Sequence, residues 1–186
     1  MRIIAGSWRG KALVAPSGEA TRPTADRVRQ ALFDMLAHAP WAQRPDGRNA
    51  IAGAKVLDGF AGTGALGLEA LSRGAAGAVF IEQAPPALAA LRTNIAACKA
   101  GNLARVLATD ILNVMPGGPA CDLVFLDPPY ERDLLTPALA RLAAGGWLAP
   151  GALVVAETAR EEAAPAPDIL AERAHGAARL WIWRLG

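Results

Sequence analysis

Between residues 55 and 156, short apolar runs alternate with longer segments that carry apolar residues at helical spacing. The runs fall at 55–58, 78–81, 105–108, 122–126 and 153–156, and the helical segments at 65–73, 85–99 and 134–144. Gly74 and Gly101 follow the first two helical segments, and Pro85 fits a first helical turn. Such alternation predicts βαβ units on a parallel sheet with right-handed crossovers. The tail differs. Two further runs, 169–172 and 179–183, are separated only by a short Gly-containing turn at 174–178. With no room for a helix between them, they are expected to pair antiparallel at the sheet edge. The fold class is therefore α/β, a mostly parallel seven-stranded sheet with a C-terminal antiparallel hairpin.

The first 50 residues read otherwise. Runs at 2–5 and 11–14 flank Gly6 and Gly10 and predict a small N-terminal β-hairpin. Residues 16–23 form a loop, and Thr24 is expected to cap a helix with Asp26 in its first turn. Val28, Leu32, Met35, Leu36 and Ala39 give that helix one buried stripe. A polar Pro/Gly-rich connector at 40–53 separates this extension (1–50) from the α/β body (51–186). Net charge is +2, but residues 1–30 hold six basic groups against Glu19 and Asp26, leaving 13 basic and 15 acidic groups elsewhere. A basic arm on a near-neutral body points to a polyanionic partner, although a solvated basic surface would look the same. Cys98 and Cys121 match neither a disulfide framework nor a zinc spacing, so reduced thiols in a cytoplasmic protein are expected. No apolar run approaches the ~18 residues of a membrane span. Trp8-Arg9-Gly10-Lys11 interrupts the apolar start before a signal-peptide core can form.

Gly62, Gly64 and Gly67 satisfy G-x-G-x-x-G between the first strand and its helix. Glycine lets the backbone turn sharply and approach a ligand, and the helix's first amides are then expected as free donors toward it. Glu82 stands at the end of the second strand, where a carboxylate can accept from both hydroxyls of a ribose. A nucleoside cofactor follows, the bland alternative being a glycine turn beside a solvated acid. Asp58 ends the first strand. It would repel a dinucleotide pyrophosphate and suits a cation such as the ammonium of S-adenosylmethionine. Asp110 either meets an adenine amine or caps the residues that follow it.

Asp127-Pro128-Pro129-Tyr130 follows the fourth run, at the sheet end that borders ligands in open α/β folds. The two prolines stiffen the turn, and Pro128 keeps a free carbonyl. A carboxylate, a fixed carbonyl and an aromatic face within four residues suit a planar amine: Asp127 and Pro128 accept its two N–H bonds and Tyr130 stacks on its ring. A nucleobase amine is a poor nucleophile, so positioning matters more than a strong base. The bland alternative is a turn with Tyr130 half-buried. His38 and His175 have no acid or nucleophile spaced around them and read as structural or solvated. No metal cluster is expected. Trp181 and Trp183 are expected to pack.

These residues together resemble the class I S-adenosylmethionine-dependent methyltransferases, and more specifically the bacterial 16S ribosomal RNA guanine-N2 methyltransferases of the RsmD type. The carrying segments are 2–6 with 8–10, 22–24 with 26–29 and 31–33, 60–74, and 127–130. The resemblance implies a Rossmann-like fold, S-adenosylmethionine as cofactor, and 16S ribosomal RNA as partner, within a small-subunit assembly particle and with the enzyme a monomer. It places Asp58, Phe60, Gly62, Gly64, Glu82 and Asp110 at the cofactor, and Asp127, Pro128, Pro129 and Tyr130 at the target guanine. It also places Arg9, Arg22, Thr24, Arg27 and Arg29 on the RNA. Gly59 departs from the family pattern, in which a large apolar residue is usual. Adenine-N6 methylation of nucleic acid shares the Asp-Pro-Pro-Tyr motif but predicts a recognition insertion that the chain lacks. A nicotinamide reductase would leave Asp58 and the Asp127 motif unexplained. A non-catalytic RNA scaffold would need only the basic arm.

Overall fold

The computed structural model describes residues 1–16, 23–44, 46–129 and 133–186. Seven strands form one sheet: β1 (Lys55–Gly59), β2 (Gly77–Glu82), β3 (Ala104–Ala108), β4 (Cys121–Leu126), β5 (Leu148–Ala159), β6 (Ile169–His175) and β7 (Ala178–Arg184). Their spatial order is β3-β2-β1-β4-β5-β7-β6. The first five run parallel, and β7 runs antiparallel to both of its neighbours. From β1 the chain winds one way to β2 and β3, then the other way through β4. The switch between β1 and β4 opens a crevice at the carboxyl ends of the strands.

Strand residues alternate between two apolar layers, as their period of two requires. Val56, Phe80, Phe125, Val155 and Ile182 pack against α1 (Pro23–His38), α2 (Ala65–Ser72) and α3 (Pro85–Ala97). Leu57, Ile81, Val124, Val154, Trp181 and Trp183 face the other way, onto α4 (Leu135–Ala144) and the short helical turn Ile111–Asn113. The Trp181 indole N–H donates to Thr158 Oγ1 at 3.0 Å, so the buried ring is also satisfied.

The N-terminal extension is narrower than two strands. Arg2 and Ala12 form a single antiparallel bridge, and residues 6–8 coil into one helical turn. Ile3, Gly10 and Leu13 amides bond across the arm, and side chains of the body meet further backbone groups. Glu69, fully buried on α2, accepts from Ile4 N at 2.8 Å and Ala5 N at 3.0 Å, and Arg73 Nε donates to it at 2.8 Å. Ser72 Oγ accepts from Trp8 N and donates to Ala5 O. Asn94, on α3, accepts from Val14 N at 2.8 Å and donates to Val14 O and to Thr63 O, at 3.0 and 2.9 Å. With Ile3 and Leu13 buried in the same layer as the strands, the arm is stitched to the body through α2 and α3.

Several boundaries differ from the sequence expectation, β5 most of all, since it runs from Leu148 to Ala159 and not over 153–156 alone. Helix α1 begins at Pro23, so Thr24 is a helical residue and not its cap; proline's fixed φ and missing N–H cost nothing in a first turn. Strand β6 continues three residues past 172, and the turn shrinks to Gly176 and Ala177, with Gly176 at φ +56°. The longer strand carries His175 to the top of the sheet.

Candidate active site

A crevice of about 800 Å³ lies over the carboxyl ends of β1, β4 and β5. That volume is in the range of small-molecule sites. Its walls include Asp58 from β1, Phe60 and Gly62 from the glycine turn, Asp127 from the end of β4, Glu157 from β5 and His175 from the end of β6. Gly59 pairs with Leu126 across β1 and β4, so the residues that follow each strand emerge side by side.

The glycine turn is folded onto two acids. Glu82 accepts from Gly62 N at 2.8 Å, and also from Gln83 N and Ala84 N at 2.8 and 2.7 Å. Asp58 Oδ2 accepts from Gly67 N at 2.8 Å. The expectation of free helix amides is therefore corrected for Gly67, because Asp58 already occupies that donor. A Cβ on Gly67 would collide with the Phe80 ring and crowd Asp58, and one on Gly64 would collide with Leu91. Glycine here allows the helix to lie close on the sheet. Phe60 holds φ +59°, a strained conformation for a bulky residue, and lines the crevice.

Asp58 is 3% exposed. Burial, together with the charges of Asp127 and Glu82, pushes its carboxyl up to about 8, although the Gly67 amide pulls the other way. Asp127 opens into the crevice while protein crowds its flanks. That desolvation, with the charge of Glu157, pushes its carboxyl up to about 7. Pro128 is buried behind it and Pro129 is exposed. The crevice thus gathers Asp26, Asp58, Asp127 and Glu157 against Arg29 and His175, and Arg29 is paired with Asp26 at 3.0 Å. A pyrophosphate would meet carboxylates and occupied amides. A cationic nucleoside would meet carboxyl groups of opposite charge, chief among them Asp58 and Asp127.

Other residues singled out from the sequence fall elsewhere. Asp110 caps the turn at Ile111–Asn113 by accepting from Leu112 N at 2.9 Å, while remaining part-exposed beside the end of β3. Glu82 touches the crevice only through Gly62. Arg9 and Arg27 are exposed. Arg29 is not available as an RNA-facing cation: it is 5% exposed, donates to the Arg2 carbonyl and is ion-paired with Asp26 and Glu69. Helical spacing turns it inward, two residues after the outward Arg27. Arg22 and Tyr130 lie outside the described residues, and of Thr24 only the helical backbone is described. At Gly59, the side chains of Leu126 and Ile111 occupy the space where a larger residue would stand.

Sequence reasoning missed Glu157 and His175. Their Oε2 and Nε2 atoms are 3.1 Å apart, and both side chains are about one-fifth exposed in the crevice wall. The two residues are 18 positions apart, joined only by the return of β7 between β5 and β6. The alternation of β5 was the available signal, since Glu157 follows Leu153 and Val155 on their face.

Comparison with known proteins agrees with this geometry. The family model of conserved hypothetical protein 95 matches residues 1–184. Ribosomal RNA small subunit methyltransferase D of Escherichia coli is 43% identical over 166 residues, covering 89% of this chain and 78% of that protein. The Haemophilus influenzae protein of the same name is 37% identical, with 90% and 83% covered. The solved structure of the Escherichia coli protein yhhF superposes with a TM-score of 0.81 at 40% identity, over all of this chain and 97% of that one. The chain belongs to the conserved hypothetical protein 95 family, that of the ribosomal RNA small subunit methyltransferase D proteins.

Proposed function

We propose that the protein transfers the methyl group of S-adenosylmethionine to the exocyclic N2 amine of a guanine in 16S ribosomal RNA. Family membership makes it a ribosomal RNA methyltransferase; the base, the atom and the residue roles are the reading argued here. The observation that carries it is the adjacency of Asp58 and Asp127 at the ends of neighbouring strands, in the walls of one crevice.

The residues present fit the cofactor. Asp58 is a buried carboxyl with a raised pKa beside the crevice, suited to the cofactor's ammonium. Phe60, Gly62 and Gly64 would shape the turn around it, and Glu82 and Asp110, from beside the crevice, would accept from the ribose hydroxyls and the adenine amine with the lone pairs their backbone amides leave free. Bound S-adenosylmethionine supplies a methyl on a sulfonium, and transfer breaks the S–C bond as the N2–C bond forms. Asp127 and the Pro128 carbonyl accept the two N2 hydrogens and direct the lone pair toward that methyl. Asp127 then receives the proton that N2 loses. A carboxyl at about 7 suits that task, being ionised near neutral pH yet basic enough to accept. Tyr130 stacks on the guanine, and Arg9, Arg22, Thr24 and Arg27 hold RNA backbone beside the crevice. Reaching the pocket requires an unstacked base, so the extension (1–50) serves as the RNA anchor and 51–186 as the catalytic unit. The substrate is the rRNA in a small-subunit assembly particle, and the enzyme acts as a monomer in the cytoplasm. No described helix is long and apolar enough to cross a membrane.

Incubation with labelled S-adenosylmethionine and undermodified small subunits, followed by nucleoside analysis, tests the reading. Asp127→Ala is expected to lower the rate about 10²–10⁴-fold while cofactor binding persists. In the wild type the rate rises with pH through about 7, as Asp127 loses its proton and gains acceptor capacity. N6-methyladenosine as the product, or normal turnover by Asp127→Ala, refutes it.

A further inference from the structure

We propose that Glu157 reads the target base, its carboxylate accepting the N1–H of the guanine whose N2 amine is held at Asp127, so that purines with an unprotonated N1 are rejected. The inference rests on the guanine-N2 reading above.

Placement comes first. Strands β4 and β5 are parallel, with Leu126 opposite Ala156, so Asp127 and Glu157 are the next pair in register. Both line the crevice. The charge of Glu157 contributes to the raised pKa of Asp127. On the other side, His175 Nε2, at the end of β6, stands 3.1 Å from Glu157 Oε2. The crevice wall therefore presents two carboxyl groups, one from each of two adjacent parallel strands whose backbones run about 4.8 Å apart.

Chemistry then selects the base. Guanine's pairing edge offers two neighbouring donors, N1–H and the N2 amine. Adjacent acceptors complement that pair. Adenine offers an acceptor at N1, which would face the Glu157 carboxylate lone pair to lone pair. The Asp127-Pro128-Pro129 segment recognises an amine but not the ring atom next to it. Glu157 supplies that missing half of the recognition, and a site built to bond a particular N–H discriminates strongly against an analogue lacking it.

2-Aminopurine separates the two contacts, because it keeps the amine at position 2 but leaves N1 unprotonated. RNA with guanine or 2-aminopurine at the target position is assayed with wild type and Glu157→Gln, alongside S-adenosylmethionine binding. Wild type is expected to form N2-methylguanosine and to favour guanine by about ten- to a hundred-fold in kcat/KM, the range of a hydrogen bond to a charged group. In Glu157→Gln that ratio is expected to collapse toward one, since an amide also donates to a bare N1, with cofactor affinity unchanged. An unchanged ratio overturns the inference. A wild type that forms no N2-methylguanosine overturns the reading beneath it instead. If Glu157→Gln loses cofactor binding, Glu157→Asp is read in the same assay. Its retracted acceptor is expected to narrow the ratio, and an unchanged ratio again overturns the proposal.

Discussion

Two regions of this molecule bury polar side chains, to opposite ends. Along the seam between the N-terminal arm and the body, Glu69, Ser72 and Asn94 are at most 2% exposed, and each meets several named partners. Around the crevice, Asp58 is nearly as buried, yet it holds a single backbone amide and is pushed up to about 8. Buried polar groups normally find partners within the fold. A seam whose buried acceptors each take several donors reads as architecture, whereas a carboxyl left under-compensated beside an open crevice reads as a place kept for a ligand.

The largest effect that would break this comparison is on the seam. Glu69→Ala leaves Arg73 and Arg29 facing a void and two arm amides without acceptors. It is expected to cost about 3–5 kcal/mol of stability, as for breaking a buried ion pair. For a chain of this size that is a fall in Tm of about 6–20 °C. A thermal melt within 2 °C of wild type (below that range) would mean that the seam is not structural.

The crevice should respond in the opposite direction. A carboxyl whose folded pKa stands above its unfolded value binds a proton in the native state that the unfolded chain has released. Asp58 therefore removes stability progressively as pH rises from about 4 to about 8. Asp58→Asn is expected to raise the Tm of the ligand-free protein at pH 8 and weaken cofactor binding at once. In wild type, affinity for the cationic cofactor should climb with pH up to about 8, and in Asp58→Asn it should stay flat. Calorimetric titrations at pH 6, 7 and 8 measure this, and a lower Tm for the variant contradicts the assignment.

The smallest effects sharpen the division on α1. Arg27→Ala is expected to weaken RNA binding by under about 1 kcal/mol and lower the slope of log affinity against log salt by about one contact, with no change in melting. Arg29→Ala is expected to lower the Tm, because it leaves Asp26 without its cation and buried Glu69 with Arg73 alone. Equal effects of the two changes on RNA binding, with no difference in stability, would erase the distinction.

The glycine turn and the acids folded onto it were legible because they are local. Asp58, the three glycines and Glu82 lie within 25 residues, and the strand–turn–helix context follows from hydrophobic period. The opposite wall of the crevice was legible only through Asp127 and its prolines, which are contiguous. Glu157 and His175 were not, since their meeting depends on the register of β5 with β7 and on where the last hairpin turns. Arg29 was misjudged for a related reason. Charge in a sequence has a sign but no direction, and burial beside Glu69 exists only once α1 and α2 pack.

The amino-acid order by itself determined the strand–helix alternation, the glycine turn and the Asp127-Pro128-Pro129 turn, because each is set by interactions within one strand–loop–helix unit. The tertiary structure alone decided which charges face solvent, which carboxyls go under-compensated, and which side chains from separate strands share a crevice. Those properties depend on desolvation and on long-range register, which arise when the chain closes on itself.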